Sequence, residues 1–316
     1  MNHRIPTPPR RRLRRGTAVA AGLATVLALA GCSNDSKTSA DKSSDTTETT
    51  APSQKSGNAP IDNAMTVTTP GMAFETTGSL KPGVGSITLD NTDDVTHMLA
   101  FAQVKDGVTV DQIKTALGKS EEQAGKLFAD AGPNGPAPLG TPALVGPGES
   151  STVTALDLKA GTYGMVCFLT DAQGEPHWKM GMIHEVKVSG NEATEKPQSD
   201  GTITLDDTAI TMPKGFDGQG TFLVTNSGKK GHNLSLARLD TGTSLADFAS
   251  AVGQSEQSGK SIDVKGGVLA GGVDELAPGQ SAYLTVDLSP GHYGYLSTDD
   301  VTGPSLPPQH GEFDAG

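Results

Sequence analysis

The 316-residue sequence has two cysteines, one tryptophan, four tyrosines and an aromatic share of only 4%. So little cysteine excludes a disulfide scaffold, and the composition excludes a coiled coil and a multi-span membrane protein. Large apolar side chains are scarce too. Leu, Ile, Val and Phe make up 62 of the 316 residues, close to the level at which a chain fails to bury enough apolar surface, so part of it is expected to lack a fold. Positive charge is missing from most of the chain. Six of the 24 Lys and Arg fall in residues 1–31, which hold no acid, leaving 18 against 36 Asp and Glu, about −18. Nucleic acid is thereby excluded as a partner, and a cationic redox partner protein would suit that charge, as would simple solvation of an acidic surface.

What is present begins with an export signal. The Arg10 to Arg15 cluster precedes an apolar run from Thr17 to Gly31, too short to span a bilayer as a stable helix and read as the basic and hydrophobic regions of a secretory signal. It ends in Leu29-Ala30-Gly31-Cys32, which resembles the lipobox of bacterial lipoproteins. That resemblance implies removal of residues 1–31, lipidation of Cys32, and a protein anchored to the lipid bilayer on the extracytoplasmic face of the cell membrane. Residues 32–64 are mostly Ser, Thr, Asp, Lys and Ala with one large aliphatic residue, Ile61, a polar tether with a reach of about 30 Å as a coil.

The rest of the chain is duplicated. Gly85 to Asn91 is followed six residues later by His97, and Gly220 to Asn226 is followed six later by His232. Gly146-Pro-Gly-Glu-Ser150 precedes Leu158-Lys-Ala-Gly-Thr-Tyr-Gly164, as Ala277-Pro-Gly-Gln-Ser281 precedes Leu288-Ser-Pro-Gly-His-Tyr-Gly294. The expected units are therefore 65–190 and 201–316, joined by a polar linker at 191–200. Short alternating or apolar runs such as Ser86 to Leu89, Ser151 to Leu156 and Glu185 to Val188, bounded by Gly, Pro and Asn, predict antiparallel β-sandwiches. Helical spacing over Val110 to Leu117, Glu121 to Ala129 and Leu245 to Val252 predicts a short helical insertion in each.

Cys167 is the thiol that lipidation leaves over, so it is a buried small hydrophobe, a reactive group or a metal ligand. Its neighbours point to the last. Cys167 stands at a strand end, His177 follows across a loop, Met182 comes five residues further on, and an earlier strand supplies His97. Two imidazoles and a thiolate with a weak axial thioether form a mononuclear blue-copper donor set. Asn91 with His97, then Cys167, His177 and Met182 before a last strand, resembles the cupredoxin family. The resemblance implies an all-β chain of two tandem Greek-key cupredoxin-like sandwiches. It implies one type 1 copper, held equatorially by His97, Cys167 and His177 and axially by Met182, with Met180 the weaker axial candidate and Asn91 fixing the ligand loop.

The second copy departs from the pattern. Ser297 stands where Cys167 stands in the first, His232 keeps the position of His97, His310 is a candidate displaced counterpart of His177, and no Met follows it. The chain ends six residues later, so a degenerate second domain without the last strand is expected, its open sheet edge covered by the first copy. No accessory metal site is expected at His232 and His292. Multicopper oxidases and copper nitrite reductases would need further His clusters, commonly His-X-His, and none occurs. The expectation is therefore a copper-binding electron carrier that is not an enzyme. The alternative is a non-redox cell-surface binding module or a lipoprotein for copper sequestration or delivery.

Overall fold

The computed structural model describes residues 60–129, 136–297 and 306–316, all within one compact unit, Thr50–Gly316. The export signal, Cys32 and most of the tether lie outside the described residues.

The first half builds β1 (Ala64–Thr68), β2 (Glu75–Gly78), β3 (Gly83–Asp90) and β4 (Ala100–Gln103), then α1 (Val110–Leu117) and α2 (Glu121–Gly125), then β5 (Ser150–Leu158), β6 (Gly161–Val166), the single turn α3 (His177–Met180) and β7 (Ile183–Val188). The second half runs β8 (Gly201–Leu205), β9 (Ile210–Thr211), β10 (Gln219–Asn226), β11 (His232–Leu239), α4 (Leu245–Gln257), β12 (Gly267–Leu276), β13 (Ser281–Asp287), β14 (Gly291–Leu296) and β15 (His310–Ala315). Alternation makes the sandwiches, because a strand such as β1 turns Met65 and Val67 inward and their neighbours outward. In the first half Val67, Ile87, Leu89 and Ala155 of one sheet meet Phe101, Tyr163, Met165 and Val186 of the other. In the second, Ile203, Phe222, Val224 and Leu284 meet Leu234, Leu236, Val273 and Tyr293. The described residues are all-β, built as two sandwiches with short helical insertions, as expected.

The copies repeat one pairing scheme. β1 runs parallel to β3 as β8 runs parallel to β10, and β5 lies antiparallel to β3 as β13 lies antiparallel to β10. They are joined through the sheet itself, in the order β2-β1-β3-β5-β13-β10-β8-β9. At the join Val153 pairs with Leu284, flanked by Thr152 with Thr285 and Thr154 with Tyr283. Val153 and Leu284 each stand three residues after the Ser that closes the repeated Pro-Gly motif, so equivalent strands meet about a local two-fold, as in a self-complementary dimer interface.

Three expectations about the second copy are corrected. It has its last strand: β15 pairs antiparallel with β14, Gly291 opposite Ala315 and Leu296 opposite His310, as β7 pairs with β6, Gly161 opposite Val188 and Val166 opposite Ile183. The halves meet at β5 and β13, so no missing strand is made good by the first copy. His310 therefore stands where Ile183 does rather than where His177 does, and its Nδ1 donates to Pro307 O at 2.6 Å.

The helical insertions form where expected, with different ends. Thr109 caps α1 in a reciprocal box with Gln112. α2 stops at Gly125 rather than Ala129, because Phe128 leaves the helix to bridge Val104. α4 is capped by Ser244, whose hydroxyl accepts from the Asp247 amide, and continues past Val252 to Gln257.

Candidate metal centre

His97 is placed by Asn91, the residue after β3. Asn91 is buried and uses its whole side chain: Oδ1 accepts from Thr69 Oγ1 at 2.8 Å and from the Asp93 amide at 3.0 Å, while Nδ2 donates to Val95 O and Val145 O, each at 2.8 Å. His97 exchanges both backbone hydrogen bonds with Val145 at 2.9 Å. One amide thus ties the His97 loop to the strand-like segment beside it. The second copy repeats the arrangement, with Asn226 Nδ2 donating to Lys230 O and Leu276 O at 2.7 Å.

Cys167 and His177 are placed by a closed loop. The Cys167 amide donates to Met182 O, the Trp178 amide to Cys167 O, and the His177 amide to Leu169 O, at 2.8–3.1 Å. Asp171 Oδ1 accepts from the Gln173 and Glu175 amides at 2.8 Å and fixes the tip. Gly181, at φ 142°, turns the chain between α3 and β7, and a Cβ there would stand 2.8 Å from Met72 O.

These frames bring His97, Cys167 and His177 together with their ligand atoms within 4.8 Å of one another, and among the described residues no other such group of His, Cys, Asp or Glu occurs. Cys167 Sγ lies 3.4 Å from His177 Nδ1 and 4.0 Å from His97 Nδ1. A metal about 2.0 Å from nitrogen and about 2.3 Å from thiolate sulfur, at trigonal to tetrahedral angles, sets that separation at about 3.5–3.7 Å, between the two observed values. Met182 is fully buried in the same apolar cluster as Cys167, whereas Met180 is 44% exposed, which favours Met182 as the candidate thioether donor. Trp178 packs part-buried against the cluster around α1, and His184 is exposed.

The electrostatics suit a metal cation. Burial pushes the Cys167 thiol up to about 11, against hydrogen bonds from the Met98 and Leu169 backbones. Burial also lowers both imidazoles, opposed at His97 by Asp93 and reinforced at His177 by the neighbouring His97. At neutral pH the three donors carry no net charge, and a cation would displace the thiol proton. The His97 Nε2–H faces Asp93 Oδ2 at 3.2 Å, leaving the Nδ1 lone pair toward the sulfur. Burial works to raise Asp93, but the Met72 and Asp94 amides and His97 outweigh it and hold the carboxyl below its usual range. His177 Nε2 is buried with no hydrogen-bond partner. This soft and borderline donor set of two imidazoles, a thiol and a thioether supports copper as the cofactor.

Sequence reasoning missed Asp93 and Asp263. Asp93 had a signal, four residues before His97. Asp263 had none, because it reaches the site from 167 residues away. In the second copy Ser297 occupies the Cys167 position, its amide bonded to Gln309 O as that of Cys167 is to Met182 O. His232 is engaged by Asp207 at 3.0 Å, and exposed His292 by Asp314 at 2.8 Å.

No family model matches the chain, and no curated protein does. Solved structures do. Auracyanin from Roseiflexus castenholzii matches at 19% identity over 40% of this chain and 98% of its own, with a TM-score of 0.28. Auracyanin A, a "blue" copper protein from Chloroflexus aurantiacus, matches at 20% identity over 40% and 98%, with a TM-score of 0.27. A multicopper oxidase matches at 12% identity over 80% and 88%, with a TM-score of 0.22. The expectation that the protein is not an enzyme is corrected by the last match and by those to copper nitrite reductases, since both kinds are enzymes. The case for the metal centre rests on its own donors and distances.

Proposed function

We propose that the protein is a lipid-anchored, extracytoplasmic copper protein for single-electron transfer, in which His97, Cys167 and His177, with the Met182 thioether, would hold one type 1 copper. The observation that carries the reading is the convergence of two imidazole nitrogens on one buried thiol, inside a frame tied by Asn91 and by the backbone hydrogen bonds of the 167–182 loop. When bound, the copper supplies a one-electron couple. The protein's part is to keep the same donors in the same places in both oxidation states: Asn91 fixes the His97 loop, the closed 167–182 loop fixes Cys167 and His177, and Asp93 fixes which nitrogen of His97 faces inward. The proposed division is two cupredoxin-like units at 65–190 and 201–316 with a linker at 191–200, the second lacking the thiolate. Cys32 would carry the lipid, residues 32–64 would give the reach from the bilayer, and the acidic remainder would favour a cationic redox partner protein.

Protein loaded with one equivalent of Cu(II) is expected to show an intense visible thiolate-to-copper band, bleached by a one-electron reductant and restored on reoxidation. Cys167→Ser removes the band. A colourless protein, or copper held as Cu(I) without reoxidation, contradicts electron transfer, and the latter favours sequestration.

A further inference from the structure

One segment of the second half touches both loops that carry the first half's candidate donors. Between α4 and β12, Asp263 Oδ1 accepts from the amide of buried Thr96 at 2.9 Å and from its hydroxyl at 2.5 Å, one residue before His97. Two residues earlier the Ser261 amide donates to Asp171 O at 3.2 Å, on the loop between Cys167 and His177. Ser261 Oγ also donates to Asp263 Oδ2 at 2.6 Å, joining the two contacts. At the loop tip, Gly259 O stands 3.1 Å from where a Cβ on Gly174 would be. Leu169 packs against the second half's apolar cluster, which includes Ile262 and Leu269. Beneath this segment His97 and Cys167 are 0% exposed and His177 is 1% exposed.

We propose that the second half is the cover of the first half's metal centre, and that Asp263 is the positioning residue that holds the cover onto the His97 loop and decides what reaches Cys167. A partly open cavity of about 270 Å³ lies along this seam, lined by Thr96, Pro147, Phe248, Ile262, Asp263 and Leu269. At its wall the hydrogen bonds from Thr96 to the Asp263 carboxylate cross from one half to the other. Such a role also gives a second half without a thiolate a reason to keep its complete fold.

The inference concerns the site read above as a copper centre, but its test uses no metal, so failure of one is distinguishable from failure of the other. The metal-free full chain is treated with N-ethylmaleimide and alkylation of the Cys167 peptide is followed by mass spectrometry, with circular dichroism confirming the fold. Asp263→Ala is expected to speed alkylation about fivefold, the scale of losing charge-assisted hydrogen bonds at the rim of a buried site. Asp263→Asn keeps an oxygen acceptor for Thr96 and is expected to stay near the wild-type rate. Equal rates in wild type and Asp263→Ala, or Asp263→Asn as fast as Asp263→Ala, overturns the proposal. If Asp263→Ala does not fold, Ser261→Ala carries the test: faster alkylation supports the cover, and the wild-type rate overturns it.

Discussion

Cys167 needs its proton while the site is empty, because the apolar cluster around it penalises a thiolate and pushes the group up to about 11. The two imidazoles are held below their ordinary value by burial, so above about pH 7 they are neutral and bind metal without losing a proton. Metal uptake then releases one proton, that of Cys167, and the apparent affinity is expected to rise about tenfold per pH unit from about pH 7 toward 11. Below that range the imidazoles protonate as well and the dependence steepens. Competition titrations against a chelator of known pH dependence check this, and a flat profile between pH 7 and 9 would show that the thiol is already ionised. The donors themselves were legible in the sequence, since few residue types can serve a soft metal and the His, Cys, His and Met order restricts them further. Asp263 was not, because nothing in a sequence says which distant loop will cross a site.

At the scale of elements, the helical insertions owe their starts to side-chain caps: Thr109 before α1, Ser120 before α2 and Ser244 before α4. The helices were legible from their spacing but their ends were not, since Phe128 leaves α2 to join the apolar cluster around α1 and the polar last turns of α4 carry no apolar spacing past Val252. Ser244→Ala removes the acceptor for the Asp247 amide and is expected to cost about 1 kcal/mol, read as a lowered midpoint in chemical denaturation. No change would mean that packing of Leu245 and Phe248 alone holds the start of α4. β15 escaped sequence reading for a related reason. His310 to Ala315 buries only Ala315 fully, so its pattern is too polar to read as a strand. It forms because β14 offers an open row of backbone groups, which are costly to leave unpaired.

For the whole molecule, the duplication was legible as repeated motifs, but the join between copies was not. Strand pairing across β5 and β13 is a matter of backbone register, and the sequence shows only that the two strands are equivalent. Because the eight-stranded sheet runs through both halves, the metal-free protein is expected to unfold in one cooperative transition, coincident by fluorescence and circular dichroism. Two resolved transitions would mean that the halves are independent and the shared sheet contributes little. Continuity of the sheet also holds the second half where its loop can lie over the first half's donors. The central claim, that these donors form a single type 1 copper site, is tested most directly by the electron paramagnetic resonance spectrum of the Cu(II)-loaded protein. The account predicts one copper per chain with a narrow parallel hyperfine splitting, from spin shared with the Cys167 sulfur, that widens or vanishes in Cys167→Ser. An ordinary wide splitting in the wild type, or a spectrum unchanged by that substitution, would contradict it.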